Sequence, residues 1–104
     1  MAKKTVVLMP STQQALKKMG SNIKRARLRR NISTASLAEQ AKISTDTLAS
    51  IEKGVSTVSI GAYAAVLAVL VLDKDFELIA LDADGKKQFW EQNLKRRDRA
   101  TRRT

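Results

Sequence analysis

The sequence predicts a mainly α-helical protein of four to five helices, with one short β-strand near its C-terminus. Apolar residues recur at helical spacing over most of residues 11–72. Serines precede several of these stretches, where a helix N-cap belongs. The later segment DFELIALD is rich in strand-forming residues and is followed by turn-forming residues. With only four aromatic residues, the core must be built from aliphatic side chains.

The charge is strongly basic and unevenly spread. The 104 residues include 20 Lys and Arg against 10 Asp and Glu, a net charge of +10. Residues 1–30 carry nine basic side chains and no acidic one, and residues 86–104 carry eight against two. The stretch between them is acidic. Two basic flanks favour a polyanionic partner, nucleic acid or an anionic membrane surface.

Several classes of function are disfavoured by composition. The chain contains neither cysteine nor histidine, which argues against thiolate or imidazole metal sites, disulfides and histidine-based catalysis. We therefore expect no metal, no cofactor and no enzymatic activity. The apolar run Val6–Pro10 is too short for a signal-peptide core, and Ala62–Leu72 falls short of the roughly 20 residues of a membrane span. These lengths predict a cytoplasmic, nucleoid-associated protein without a membrane partner.

The first helix is predicted to follow an N-terminal arm, residues 1–10. Thr5–Met9 resembles a short strand that stops at Pro10. Ser11, with Gln14 three residues later, matches a capping box. The helix should then run to about Arg30, with an inward stripe of Leu16, Met19, Ile23 and Ala26.

Three more helices are predicted from their caps and apolar faces. Ser33 or Thr34 should cap the second helix, Ser44 the third and Ser59 the fourth. Gly54 should follow the end of the third helix, where glycine is favoured. The fourth helix is so densely apolar that we expect a second subunit to cover part of it.

The segment ISTASLAEQAKISTDTLASIEKG, Ile32 to Gly54, carries the main functional signal. Ala38 is small enough for two short helices to cross closely, and Ile43 can fill the gap at the turn between them. Leu48 and Ile51 would face inward on the second of these helices. Its outer face would then be free to enter a major groove.

This segment resembles the helix-turn-helix of phage-repressor-like (XRE/Cro-type) regulators, and MGSNIKRARLRRN resembles the first helix of that family. The resemblance covers Met19–Leu72, about half of the chain. It implies a helix-turn-helix DNA-binding domain at 11–72 that binds a palindromic double-stranded operator. The side chains it places toward bases are Thr45, Asp46, Ala49 and Ser50.

Base recognition by these four residues should be modest, because the usual bidentate readers Gln, Asn and Arg are absent among them. DNA shape or flanking arms would supply the rest. Phosphate contacts are expected from hydroxyls, one lysine and helix N-termini. These residues are Thr34, Ser44, Thr47, Lys53, Ser56, Thr57 and Ser59.

The resemblance also implies a salt bridge between Arg27 of the first helix and Glu52 at the end of the recognition helix. The pair would hold these two helices together. The alternative is that both residues are independent surface charges.

Residues 73–85 are predicted to be a dimerisation strand and turn. Together with the end of the fourth helix, they resemble the corresponding segment of HipB-type antitoxins. That likeness implies a homodimer in which Phe76–Leu81 pairs with its symmetry mate in an intersubunit sheet. The dimerisation residues would be Phe76, Leu78, Ile79 and Leu81. The alternative is an intrachain hairpin with Lys86–Trp90.

Residues 86–104 are predicted to form a basic helix and tail. Phe89, Trp90 and Leu94 could bind a partner or pack on this protein's own core. The HipB-type resemblance implies a HipA-like kinase toxin as that partner. The expected function is a repressor and antitoxin that autoregulates its toxin–antitoxin operon. The alternatives are a stand-alone phage-type repressor without a toxin, or a basic module that binds an acidic protein.

Overall fold

The computed structural model describes residues 6–82 and residue 94. Within this part of the chain, four α-helices are followed by a short 3₁₀ helix. They are α1 (Pro10–Arg29), α2 (Thr34–Ala41), α3 (Thr45–Glu52), α4 (Ile60–Val69) and the 3₁₀ helix Asp73–Leu78. The prediction of a mainly α-helical protein is confirmed.

Serine side chains begin three of the helices, as predicted. The hydroxyl of Ser33 accepts from the amide of Ser36 at 3.0 Å, and that of Ser44 accepts from the amide of Thr47 at 3.0 Å. Ser59 caps α4 in the same way, through the amide of Ala62 at 3.1 Å. Each bond satisfies an amide that has no partner within its own helix.

The beginning of α1 differs from the prediction. The helix starts at Pro10 with Met9 as its N-cap, and no side chain caps it. The predicted capping box of Ser11 and Gln14 is therefore wrong. Proline suits the first helical position, because its fixed φ matches the helix and its missing N–H would have no helical acceptor there. The predicted strand is not formed over Val6–Met9, and Thr5 lies outside the described residues.

The core is aliphatic and draws on all four α-helices. Its most deeply buried side chains have at most 2% of their surface exposed: Ile23, Leu37, Leu48, Ile51, Val66 and Leu70. Helix α2 packs on α3 and α4, and α1 packs on α3. Most of the inward residues predicted for the helix-turn-helix segment lie in this core. Ile43, predicted to fill the gap at the turn, is half-buried against it.

The predicted C-terminal strand is absent from the described residues. Helix α4 ends at Val69, and Phe76–Leu78 belong to the 3₁₀ helix. Local hydrogen bonds continue past it, from the amide of Ile79 to the carbonyl of Phe76 and from Leu81 to Leu78. A strand needs a neighbouring edge to satisfy its backbone. Within the described part of one chain no strand provides such an edge, and the segment forms local hydrogen bonds instead.

The segment after α4 is rich in exposed apolar side chains. Val71 is 81% exposed, Leu78 and Ile79 are each 61% exposed, and Leu81 is 58% exposed. Phe76 is half-buried against the core. No helix among the described residues has both the length and the apolar character needed to span a membrane. The predicted helix and tail over 86–104, including Phe89 and Trp90, lie outside the described residues except for Leu94, which is helical and exposed.

Candidate nucleic-acid interface

The turn between α2 and α3 is tight and has a left-handed residue. Lys42 has φ +60°, and its amide donates to the carbonyl of Glu39 at 3.1 Å. The amide of Ile43 donates to the carbonyl of Ala38 at 3.0 Å. This bonding is the Schellman pattern that ends a helix and redirects the chain. Ser44 then caps α3 immediately, so the two helices form a helix-turn-helix unit.

Helix α3 has a buried face and an exposed face. Leu48 and Ile51 are fully buried. On the opposite side Thr45, Asp46 and Ala49 are exposed, and they are three of the four residues predicted to face DNA bases. The fourth, Ser50, is half-buried and is therefore less accessible than the other three. The accessible part of this face therefore extends from Thr45 to Ala49.

Arg27 and Glu52 form the ion pair expected from the sequence. The Nε atom of Arg27 lies 2.7 Å from Oε2 of Glu52, and Nη2 lies 3.2 Å from Oε1. Nη1 also donates to the carbonyl of Ile32 at 3.1 Å. Only 8% and 9% of the two side chains are exposed, so they are not independent surface charges. The pair ties α1 to the C-terminal end of α3 and to the residues that lead into α2.

The residues predicted to contact phosphate fall into two groups. Lys53, Ser56, Thr57 and Ser59 are exposed between α3 and α4, and Thr34 is exposed at the start of α2. Ser44 and Thr47 instead bond to each other, because the Ser44 hydroxyl donates to Oγ1 of Thr47 at 2.9 Å. The Thr47 side chain is half-buried as well. It is thus more constrained than the other hydroxyls.

The exposed basic side chains of the described residues do not lie on α3. That helix carries no Lys or Arg, whereas Lys42 and Lys53 are exposed just before and just after it. Among the described residues, further exposed basic side chains lie on α1 and at its C-cap: Lys17, Lys18, Lys24, Arg25, Arg29 and Arg30. Within residues 6–82, most of the exposed positive charge is therefore on the flanks of α3 and on α1. No group of acidic side chains within residues 6–82 could hold a metal ion.

The residues that connect α3 to α4 are anchored at the predicted helix end at Gly54 and by a Tyr63 contact that sequence reasoning missed. The amide of Gly54 donates to Ile51 and that of Val55 to Ser50, both at 3.0 Å, which closes α3. The hydroxyl of Tyr63 donates to the carbonyl of Val55 at 2.7 Å. Burial raises the pKa of the Tyr63 phenol above its usual value of 10.0. The sequence alone shows Tyr63 as one apolar residue of the fourth helix, and nothing in its spacing indicates a backbone acceptor eight residues earlier.

Comparison with known families and with curated proteins finds no family and no relative that matches this chain.

Proposed function

We propose that this chain is a sequence-specific DNA-binding protein that represses transcription, with α3 as its recognition helix. The observation that carries the proposal is the arrangement of α2, the Lys42 turn and α3. It buries Leu48 and Ile51 and leaves Thr45, Asp46 and Ala49 exposed. Two helices in this arrangement present the second one to the major groove.

The surroundings of α3 support the same proposal. Exposed hydroxyls at Thr34, Ser56, Thr57 and Ser59, with Lys42 and Lys53, are the kinds of groups that contact phosphate. The Arg27–Glu52 pair fixes the recognition helix against α1, so that its exposed face keeps one orientation. A fixed orientation lowers the entropic cost of docking into a groove.

Binding to duplex DNA of mixed sequence over a range of salt concentrations tests this proposal. A protein that makes about 6–10 phosphate contacts loses roughly 10³–10⁵ in affinity between about 50 and 200 mM salt. A flat salt response, or no duplex binding at low salt, would contradict the proposal. No duplex binding, with binding to an acidic protein instead, would favour the protein-interaction module.

We propose further that the protein acts as a homodimer on a palindromic operator. The support is the apolar surface after α4, formed by Val71, Leu78, Ile79 and Leu81, which a second copy of the chain would cover. Twofold proteins bind paired half-sites about one helical turn apart. This surface contains three of the predicted dimerisation residues in exposed positions, and the fourth, Phe76, is half-buried against the core.

Sedimentation of charge variants tests the dimer. Ile79→Asp should produce monomers and weaken operator binding, because a charge buried between two subunits is strongly unfavourable. The matched control is Val7→Asp, which alters a 92% exposed residue outside this surface. If Ile79→Asp forms a dimer as stable as that of the parent protein, the interface lies elsewhere.

The resemblance to HipB-type antitoxins supports a second protein partner, a HipA-like kinase toxin, and autoregulation of a shared operon. Phe89, Trp90 and Leu94 are the proposed contact residues, and Leu94 has 41% of its surface exposed. Co-expression with a HipA-like kinase encoded beside this chain's gene should yield a complex that Trp90→Ala weakens. No complex with that kinase would leave the stand-alone repressor as the better description.

A further inference from the structure

We propose that Tyr63 is a positioning residue that holds the segment Ser56–Val58 in place for contact with DNA phosphate. The proposal rests on the DNA-binding function proposed above and assigns part of it to a side chain on α4. Tyr63 itself is 5% exposed, so it acts through the residues it holds rather than by touching DNA.

The contact that carries the proposal is the hydrogen bond from the Tyr63 hydroxyl to the carbonyl of Val55, 2.7 Å long. The amide of the same residue, Val55, donates to the carbonyl of Ser50 in α3 at 3.0 Å. Val55 is therefore fixed on one side to the recognition helix and on the other to α4. The next residue along the chain is Ser56.

Ser56–Val58 depends on anchors at its two ends. Ser56 and Thr57 are exposed and lie in a turn, and within residues 6–82 their side chains make no hydrogen bond. At the far end Ser59 caps α4. At the near end the hydroxyl of Tyr63 fixes Val55. Loss of that hydroxyl would leave Val55 held only by its amide bond to Ser50, while the cap at the far end remained.

The ring of Tyr63 and the segment it holds share one groove. Val55, Ser56, Val58 and Tyr63 all line an apolar groove of about 250 Å³. A phenylalanine ring would fill the same space as the tyrosine ring. The hydroxyl contributes the hydrogen bond to Val55, and a buried hydroxyl requires such a partner. Tyr63→Phe therefore removes the anchor and leaves the packing.

The salt dependence of DNA binding distinguishes this role from that of a charged residue. Hydroxyls and amides bind phosphate without adding positive charge. Removing such a contact therefore does not change the number of counterions that DNA binding releases. Lys53→Ala should reduce the slope of log K against log salt by about 1 per subunit. Tyr63→Phe should instead lower affinity at every salt concentration and leave the slope unchanged.

The test measures binding of Tyr63→Phe to duplex DNA of mixed sequence, with Ile23→Val as the control. Ile23 is buried in α1, and its variant loses a buried methyl group without altering Val55. Tyr63→Phe should bind about three- to tenfold more weakly, the equivalent of one hydrogen bond. Ile23→Val should bind as the parent does. Both variants must be shown to be fully folded by circular dichroism at the assay temperature.

A double-mutant cycle identifies the segment through which Tyr63 acts. In a background of Ser56→Ala with Thr57→Val, Tyr63→Phe should have little further effect on affinity. Hydrogen exchange of the Val55 amide, which donates to Ser50, should also be faster in Tyr63→Phe than in the parent. If Tyr63→Phe binds DNA as the parent does, or loses the same affinity in both backgrounds, the proposed role of Tyr63 is overturned and the proposed function is not. If the parent protein fails to bind duplex DNA at low salt, the proposed function fails, and this inference fails with it.

Discussion

A Cβ atom added at Gly20 would lie 2.7 Å from the backbone nitrogen of Gly54. The same atom would lie 2.6 Å from the carbonyl oxygen of Ile51 and 2.7 Å from that of Glu52. Gly54 has φ +73°, and a Cβ atom added there would collide with the backbone of Leu16 and Lys17. Helix α1 therefore lies directly on the C-terminal end of α3, backbone against backbone.

Gly20→Ala should destabilise the protein even though alanine is the better helix former. The gain in helix propensity is about 1 kcal/mol. Forcing a methyl group into a packed site typically costs about 1–3 kcal/mol and occasionally more, and the upper end applies here because the neighbours are backbone atoms. Chemical denaturation measures the free energy of unfolding. The matched control is Gly61→Ala, where the nearest neighbour is the Ser59 hydroxyl at 3.9 Å. Gly61→Ala should be neutral or stabilising, and a stabilising Gly20→Ala would show that α1 and α3 are farther apart.

Local signals account for most of what the sequence predicted correctly. Ser33, Ser44 and Ser59 are caps that act within three residues, so their pattern is visible in the sequence. The signal for the end of α3 is local too, because Gly54 lies just after that helix. The role of Gly20 was not predicted, because a glycine within a helix looks unfavourable until the packing partner, 34 residues later at Gly54, is known.

The predicted strand at Phe76–Leu81 is not seen among the described residues, for a related reason. A run of strand-forming residues describes a segment that is able to form a strand, but pairing requires an edge from elsewhere. The sequence predicted that Thr45, Asp46 and Ala49 lie on the outer face of α3, where they are exposed, and their contact with bases stays a prediction. It did not predict the anchoring of Val55 by Tyr63, which depends on how α4 folds back toward the end of α3.

Arg27→Ala should destabilise the protein by roughly 3–5 kcal/mol, because it leaves the buried Glu52 carboxylate without its partner. Adding Glu52→Ala should restore part of the loss. The restoration should be incomplete, since the carbonyl of Ile32 still lacks the donor that Arg27 supplied. Urea denaturation of the four proteins in the cycle gives the interaction energy. Strictly additive losses would contradict the buried ion pair.

Lys42→Gly should stabilise the turn between α2 and α3. A residue with a side chain pays roughly 1–2 kcal/mol in the left-handed conformation, and glycine loses about 0.5–1 kcal/mol more conformational freedom on folding. The net gain should be about 0.5–1 kcal/mol. Lys42→Ala is the control, because it removes the charge but keeps the Cβ atom. Equal stabilities of the two variants would contradict a left-handed backbone at Lys42.

The stability of the protein should fall as the pH rises above about 10. Burial raises the pKa of Tyr63 in the folded state, so the folded protein holds this proton at pH values where the unfolded chain releases it. Stability from this group is complete below the unfolded pKa and is lost as the pH rises through the folded pKa. Tyr63 is the only tyrosine, so tyrosinate absorbance reports its titration directly. Tyr63→Phe should reduce the fall in stability, and an identical fall in both proteins would contradict the assignment.

The most direct test of the central claim is selection of binding sites from a random pool of duplex DNA. The parent protein should enrich a palindromic sequence with two half-sites about one helical turn apart. Thr45→Ala and Ala49→Arg, which alter the exposed face of α3, should change the enriched bases. Gln14→Ala, at an exposed position on α1, should enrich the parent's sequence. If the parent enriches no sequence, or the α3 variants enrich the same one as the parent, α3 does not read DNA.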